Sequence, residues 1–242
     1  MDYHSYFNKR VDSFLYAINK YENCLNEELK TAINNLNIKD NDILVNLGGG
    51  GINLDKFIDN KIKITYIPLE FNKEFSEKIN IPYCNYYNIP LKDNSVDKII
   101  IMALLHHFND KERNKLYKEC YRILKKDGIF IICDVIKNSN QDIWLNTIVN
   151  KYNPLGHKGI FFNEKDDILI KNNNFNVDIK IEKYNWIFNN KDEMIDFMKN
   201  LFYLNIELDK LYELVKEILN YDDINNKFDW KLIYFISTKN TF

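Results

Sequence analysis

Four consecutive glycines, Gly48 to Gly51, stand out in a chain that has only seven. They follow a short apolar run, Ile43 to Leu47, and precede a helix-forming segment, Leu54 to Asp59. Without a Cβ the backbone adopts positive φ freely, and a ligand can rest directly against it. A plain tight turn needs one or two glycines. Four in a row predict a ligand-binding loop at the carboxyl edge of the first strand of an open α/β sheet. The common phosphate fingerprints do not fit it. In G-x-G-x-x-G the sixth place falls on Asn53 counted from Gly48, or on Leu54 counted from Gly49, and no G-K-[ST] follows.

Histidines are the other candidates for chemistry. His106 and His107 are adjacent, and His157 sits between Gly156 and Gly159 in Pro154-Leu155-Gly156-His157-Lys158-Gly159. An imidazole near neutral pH is a plausible proton acceptor, so His107 and His157 are the candidate catalytic residues. Pocket shaping by the first pair and a solvated loop position for His157 are the competing readings. Cys24, Cys84, Cys120 and Cys133 are scattered with no C-x-x-C pair. They predict buried thiols in a reducing, cytoplasmic setting, with no metal site and no disulfide framework.

The elements that must hold these residues alternate between strand and helix. The first forty residues carry apolar positions at helical spacing, among them Phe14, Ala17, Ile18, Leu25, Leu29, Ile33 and Leu36. Strands are expected at Ile43 to Leu47, Ile62 to Ile67, Pro82 to Tyr86, Val96 to Met102 and Ile129 to Val135. Helices are expected at Phe71 to Ile79 and Lys111 to Leu124, with Lys125 and Lys126 at the dipole's negative end and Gly128 as the stop. Beyond these come helices at Gln141 to Tyr152 and Glu164 to Lys171, a strand at Phe175 to Tyr184, two helices within Asp192 to Tyr221, and a last strand at Trp230 to Ser237. Such alternation implies a mainly parallel sheet covered on both faces. The 242 residues suit one domain. The net charge of -2 disfavours a nucleic-acid partner. The opening MDYHSYFNKR lacks an apolar signal stretch, and no run reaches the roughly 18 apolar residues of a membrane span.

Four segments together resemble class I S-adenosylmethionine (SAM)-dependent methyltransferases of the type 11 and type 25 kind. Leu44-Val45-Asn46-Leu47-Gly48-Gly49-Gly50-Gly51 resembles the motif V-L-D-L-G-C-G-T-G. Ile89-Pro90-Leu91-Lys92-Asp93-Asn94-Ser95-Val96-Asp97 resembles L-P-F-x-D-N-S-F-D. Leu105-His106-His107-Phe108-Asn109-Asp110 is similar to L-H-H-L-x-D, and Tyr121-Arg122-Ile123-Leu124-Lys125-Lys126-Asp127-Gly128 to the R-v-L-K-P-G-G turn. They occur in the family's order over about residues 40 to 136.

The resemblance implies a Rossmann-like methyltransferase fold. Its mainly parallel seven-stranded sheet would have an antiparallel last strand. The single domain 1–242 would comprise N-terminal helices (1–40) acting as a lid, a SAM-binding core (41–136), and an acceptor-side half (137–242) with a helical cap insertion (190–222). By the same resemblance the cofactor is SAM. Asn46, Gly48, Gly49, Gly50 and Gly51 would lie under its methionine part, Glu70 at its ribose, Asn85 and Tyr86 at its adenine, and Met102 and Leu105 near the sulfonium. Tyr3, Tyr6 and Phe7 would close over it as a lid, with packing of a terminal helix on the core as the competing reading. The sequence departs from the pattern at Asn46 (family Asp), at Ile52 (the last motif glycine), at Pro68, which strict register puts in place of the ribose acid two residues before Glu70, and at Asn85 (family Asp). The expected acceptor is a small molecule, with no nucleic-acid, membrane or metal partner, and a homodimer is left open. Two other readings stand beside the methyltransferase: a scaffold that has lost turnover, and a SAM-fold enzyme of non-methylating chemistry such as a cyclisation.

Overall fold

The computed structural model describes residues 10–240; Tyr3, Tyr6 and Phe7 lie outside them. Helices α1 (Val11–Lys20) and α2 (Asn26–Asn35) lead into β1 (Ile43–Leu47) and β2 (Thr65–Leu69). After α3 (Lys73–Ile79) come β3 (Val96–Met102), α4 (Asp110–Ile123) and β4 (Leu124–Val135). Asn140–Ile143, a π-helical Trp144–Val149 and Asn150–Tyr152 run on as one helix, α5. Then follow α6 (Asp167–Lys171), β5 (Phe175–Ile187), α7 (Lys191–Leu201), α8 (Leu208–Leu219) and β6 (Lys227–Lys239).

The strands form one six-stranded sheet in the order β2-β1-β3-β4-β6-β5. The pairs β1/β2, β1/β3 and β3/β4 are parallel, and β6 runs antiparallel to both β4 and β5. The mainly parallel sheet and its antiparallel last strand are thus as expected. The seventh strand is not. Pro82 to Tyr86 contributes only a single parallel bridge, Glu70 to Tyr83. Pro82 brings no backbone donor, and the chain turns at once through Asn88 N–H donating to the Asn85 carbonyl.

Alternation along the central strands sorts the core into two layers. Leu44, Ile100, Ile131 and Cys133 face one side, where α1, α2, α5, α7 and α8 pack. Val45, Ile99, Ile101, Phe130 and Ile132 face the other, against Leu116, Cys120 and Ile123 of α4 and Ile170 of α6. Burial on both faces explains why β3 is nearly wholly apolar in sequence.

The end of α4 differs from the sequence expectation. The helix stops at Ile123, and Leu124 already pairs with Val96. The register then shifts so that Lys98 meets Ile129, and the intervening residues bulge with Asp127 at φ 60°. Gly128 therefore lies inside β4, and Lys125 meets the Asp97 carboxylate at 2.8 Å instead of capping the helix.

The two helices expected near the end, α7 and α8, fill the connection from β5 to β6. Their apolar positions Phe197, Leu201, Phe202 and Leu204 are buried core. Leu201 and Phe202 also reach the cavity described next.

Candidate functional site

The glycine turn leaves β1 at the carboxyl edge of the sheet. Gly48 N–H donates to the Leu69 carbonyl at 2.7 Å, fixing the turn against the end of β2. Gly48, Gly50 and Gly51 have φ of 68°, 60° and 84°, a region that favours glycine. A Cβ at Gly48 would stand 2.3 Å from a Leu104 methyl, and one at Gly49 would stand 2.2 Å from the Asn46 amide nitrogen. At Gly48 and Gly49 a side chain would therefore have to displace Leu104 or Asn46, whereas at Gly50 and Gly51 it is the positive φ that favours glycine. Asn46 lies beneath it, 2% exposed. Its amide nitrogen donates to Tyr66 Oη at 2.9 Å, while its side-chain oxygen has no hydrogen-bond partner among the described residues. The asparagine that replaces the family aspartate therefore keeps an acceptor under the loop.

The loop borders a cavity of about 160 Å³. Asn46, Gly48, Gly49, Gly50 and Met102 line it as the sequence predicted. Gly51 opens instead onto a neighbouring cleft under α2. Glu70, Asn85, Tyr86 and Leu105 do not line the cavity. Glu70 follows β2 directly and is buried. One carboxylate oxygen accepts from Phe71 N–H (2.8 Å) and Asn72 N–H (3.0 Å). Asn85 accepts from Tyr87 N–H, and Tyr86 stacks edge-on against Phe71 and Phe108. Glu70, Asn85 and Tyr86 nonetheless share one edge of the sheet, joined by Cys84 N–H donating to the Glu70 carbonyl. Leu105 is fully buried in the core.

At the other end of the cavity the three histidines converge. Leu105–His107 form a single 3-10 turn after β3, and Ala103 just before it takes φ 45°, a strained value for a residue with a side chain. His106 Nδ1 meets Asp134 Oδ1 at 2.8 Å, and Asp134 Oδ2 accepts from the His106 backbone N–H at 3.1 Å. His157 arrives from the loop after α5. Its N–H donates to Asn150 Oδ1 (2.9 Å), Gly159 N–H donates to Asn146 Oδ1 (2.7 Å), and Ile160 N–H donates to the His106 carbonyl (2.7 Å). Buried Arg113 clamps both loops, donating to the Leu105 and Ile160 carbonyls. The His157 ring centre is 5.4 Å from that of His106 and 5.2 Å from that of His107. Burial holds the His107 and His157 imidazoles well below their usual pKa, with the neighbouring His106 and Arg10 adding to it. Both rings are therefore neutral at physiological pH.

Sequence reasoning missed several wall residues. Glu28 sits on the buried stripe of α2, accepts from Trp186 Nε1 at 2.8 Å, and is pushed up to about 7 by burial. Trp186 and Trp230 stack at 4.1 Å beside it. Arg10 and Phe14 close the side formed by α1. Two signals existed in the sequence: an acid on the apolar stripe Leu25, Glu28, Leu29, Ala32, and the lone acid Asp134 in the run Ile129 to Val135.

Residues 49–132 match the family model described as a methyltransferase domain. That stretch is about a third of the chain, and the fold around it is the one seen in solved methyltransferase structures. A 119-residue stretch is 29% identical to an uncharacterised protein of Haemophilus influenzae; the match spans about half of each protein, 46%. Among solved structures, a SAM-dependent methyltransferase of Thermotoga maritima superposes with a TM-score of 0.60 at 17% identity, over 98% of this chain and 99% of that one. A Haloferax volcanii methyltransferase, in complex with an activator, gives 0.63 at 14% identity over 99% and 98%. Phosphoethanolamine N-methyltransferase 2 of Haemonchus contortus, in complex with SAM, gives 0.60 at 13% over 100% of this chain and 60% of that one. At these identities the likeness is one of fold.

Proposed function

We propose that this chain is a SAM-dependent methyltransferase acting on a small-molecule acceptor. The observation that carries the reading is the side-chain-free turn Gly48 to Gly51 opening onto a cavity whose far wall holds neutral imidazoles. Positive φ at three of the four glycines, no space for any Cβ at Gly48 or Gly49, and the unpaired Asn46 oxygen below all suit a ligand laid on the backbone. Gly48 to Gly50 would hold the methionine part, with Met102 beside the sulfonium. On this reading Glu70 and Asn85, at the end of β2 and the bridge beyond it, would meet the ribose and adenine beyond the cavity that the glycine turn lines.

When bound, SAM supplies a methyl group on an excellent leaving group, so the protein's task is alignment and exclusion of water. The cavity supports that task. Phe14, Leu104 and the Trp186–Trp230 pair surround it with apolar surface. The neutral rings of His107 and His157 line the cavity and would offer lone pairs to a group bound in it. The cavity, about 160 Å³, is below the roughly 300 Å³ at which small-ligand pockets begin, so its walls would have to open for a whole nucleoside. The buried, apolar walls favour a compact acceptor over a polymer.

Isothermal titration with SAM and with its demethylated product, followed by transfer of labelled methyl to a panel of small hydroxy, amino and thiol compounds, tests the reading. Micromolar binding and label transfer are expected. No binding even at millimolar SAM would leave the scaffold reading in its place. SAM bound but never consumed, while a substrate is converted, would leave the non-methylating one.

A further inference from the structure

We infer that His106, His107 and His157 form a binding site for one divalent transition-metal ion of the zinc class, with a coordination position open to the cavity. The ligand atoms of the three imidazoles lie within 4.8 Å of one another. A tetrahedral zinc ion with bonds of 2.0–2.1 Å places its ligands about 3.4 Å apart. Small torsional adjustments of the rings, on the order of an ångström at the nitrogens, close the set around an ion.

Four features distinguish the cluster from aromatic packing alone. Asp134 grips His106 Nδ1 at 2.8 Å and the His106 backbone at 3.1 Å, which leaves Nε2 as the coordinating atom and makes that ring a better donor. Secondly, the loop bearing His157 is pinned to the loop bearing His106 by Ile160 N–H on the His106 carbonyl and by Arg113 on carbonyls of both segments, so the donors come from two rigid loops. Thirdly, the donor set is nitrogen only, which selects zinc, cobalt, nickel, copper or iron over magnesium and calcium. Fourthly, all three histidines line the same cavity as the glycine turn, so a fourth position faces the space where an acceptor would lie.

Electrostatics narrows that fourth ligand. Asp134 contributes one negative charge behind His106, while Arg10 lines the cavity and adds a positive one. A dication beside a guanidinium calls for an anionic oxygen or sulfur in the open position, either hydroxide or a deprotonated acceptor. On the methyltransferase reading, on which this clause alone rests, the acceptor is a hydroxyl or thiol compound that gives its proton to the bound hydroxide, which leaves as water as the acceptor's anion takes the open position.

The test uses the full chain freed of metal by chelation. Zn²⁺ is measured by equilibrium dialysis and Co²⁺ by visible absorption. The expected result is one equivalent bound per chain, with the d–d bands of a low-coordinate nitrogen site and no thiolate charge-transfer band. His107→Gln and His157→Gln should each weaken binding at least about 100-fold, and Asp134→Asn about 10- to 100-fold, with folding checked by circular dichroism. If a variant fails to fold, the wild-type cobalt spectrum decides. Sub-stoichiometric binding, a thiolate band, or affinity unchanged in a folded histidine variant overturns the inference. SAM affinity is measured on the same samples. Metal without SAM binding sinks the methyltransferase reading alone, and SAM without metal binding sinks this one alone.

Discussion

Glu28 offers the sharpest test of how the cavity wall is built. Its carboxyl is buried on α2 with Trp186 Nε1 as its hydrogen-bond donor, and burial raises its pKa from 4.5 to about 7 despite that bond. In the unfolded chain the same group titrates near 4.5. Below that pH both states hold the proton and the site costs nothing. As pH rises from 4.5 toward 7 the unfolded state ionises first, so folding loses stability at about 1.4 kcal/mol per pH unit. Above 7 the loss is complete. The interval of about 2.5 units gives a penalty on the order of 3 kcal/mol. Glu28→Gln removes the charge and keeps an oxygen for Trp186. It should match the wild type near pH 4.5 and exceed it by up to about 3 kcal/mol at pH 8.5, as read by urea unfolding across that range. A stability difference that does not vary with pH would refute the reasoning, because it would mean the carboxyl is solvated or paired.

Gly50→Val forces a β-branched residue into φ 60° and a Cβ to 3.3 Å from Phe14 and Phe75. SAM affinity by titration should fall at least about tenfold, with stability down by on the order of 1–3 kcal/mol; undiminished affinity would contradict the placement of the donor. The lowered pKa of His107 and His157 means that below pH 6.5 the unfolded chain takes up protons that the folded chain refuses. Stability should therefore fall as pH drops below 6.5, and His157→Gln should flatten that slope in denaturant titrations run between about pH 5 and 7. The four cysteines are buried, and burial pushes the Cys84 thiol up to about 12. A thiol reagent at neutral pH should label no cysteine in the native chain and four after unfolding; rapid native labelling would show the core to be open.

The sheet was legible because its strands are buried on both faces and bounded by turns. Ile43 to Leu47 and Val96 to Met102 are read to the residue. Where local rules competed with pairing, the reading slipped. Lys125, Lys126 and Gly128 have the chemistry of a helix end, yet Leu124 is captured by β3 and the following four residues absorb the register shift. Pro82 to Tyr86 has strand-like residues but only an exposed edge to pair with, and one bridge is all that forms. The cavity wall was legible at the glycines, because a run of residues without side chains has few other uses. It was not legible at Glu28, Trp186 and Trp230. Glu28 and Trp186 meet only after α2 packs on β5, across 158 residues, and Trp230 joins them only through the pairing of β6 with β5, which no local pattern encodes.

The same distinction explains why the histidines were seen but not joined. His106 and His107 are fixed by the turn after β3, a local event. His157 reaches them through Asn146 and Asn150, which project from α5 to hold the loop behind it, and through Arg113, which reaches across from α4. Arg113 is 1% exposed and lies 3.9 Å over the Phe162 ring. Its guanidinium is set in place by two carbonyls, one on each loop, with the Asp166 carboxylate 3.8 Å away. A buried cation spent on backbone oxygens is costly unless the geometry it enforces is needed, and what it enforces here is the distance between His106 and His157. The sheet edge supplies the glycine turn without such help. The opposite wall of the cavity has to be assembled from two loops, and Arg113 is the part that assembles it.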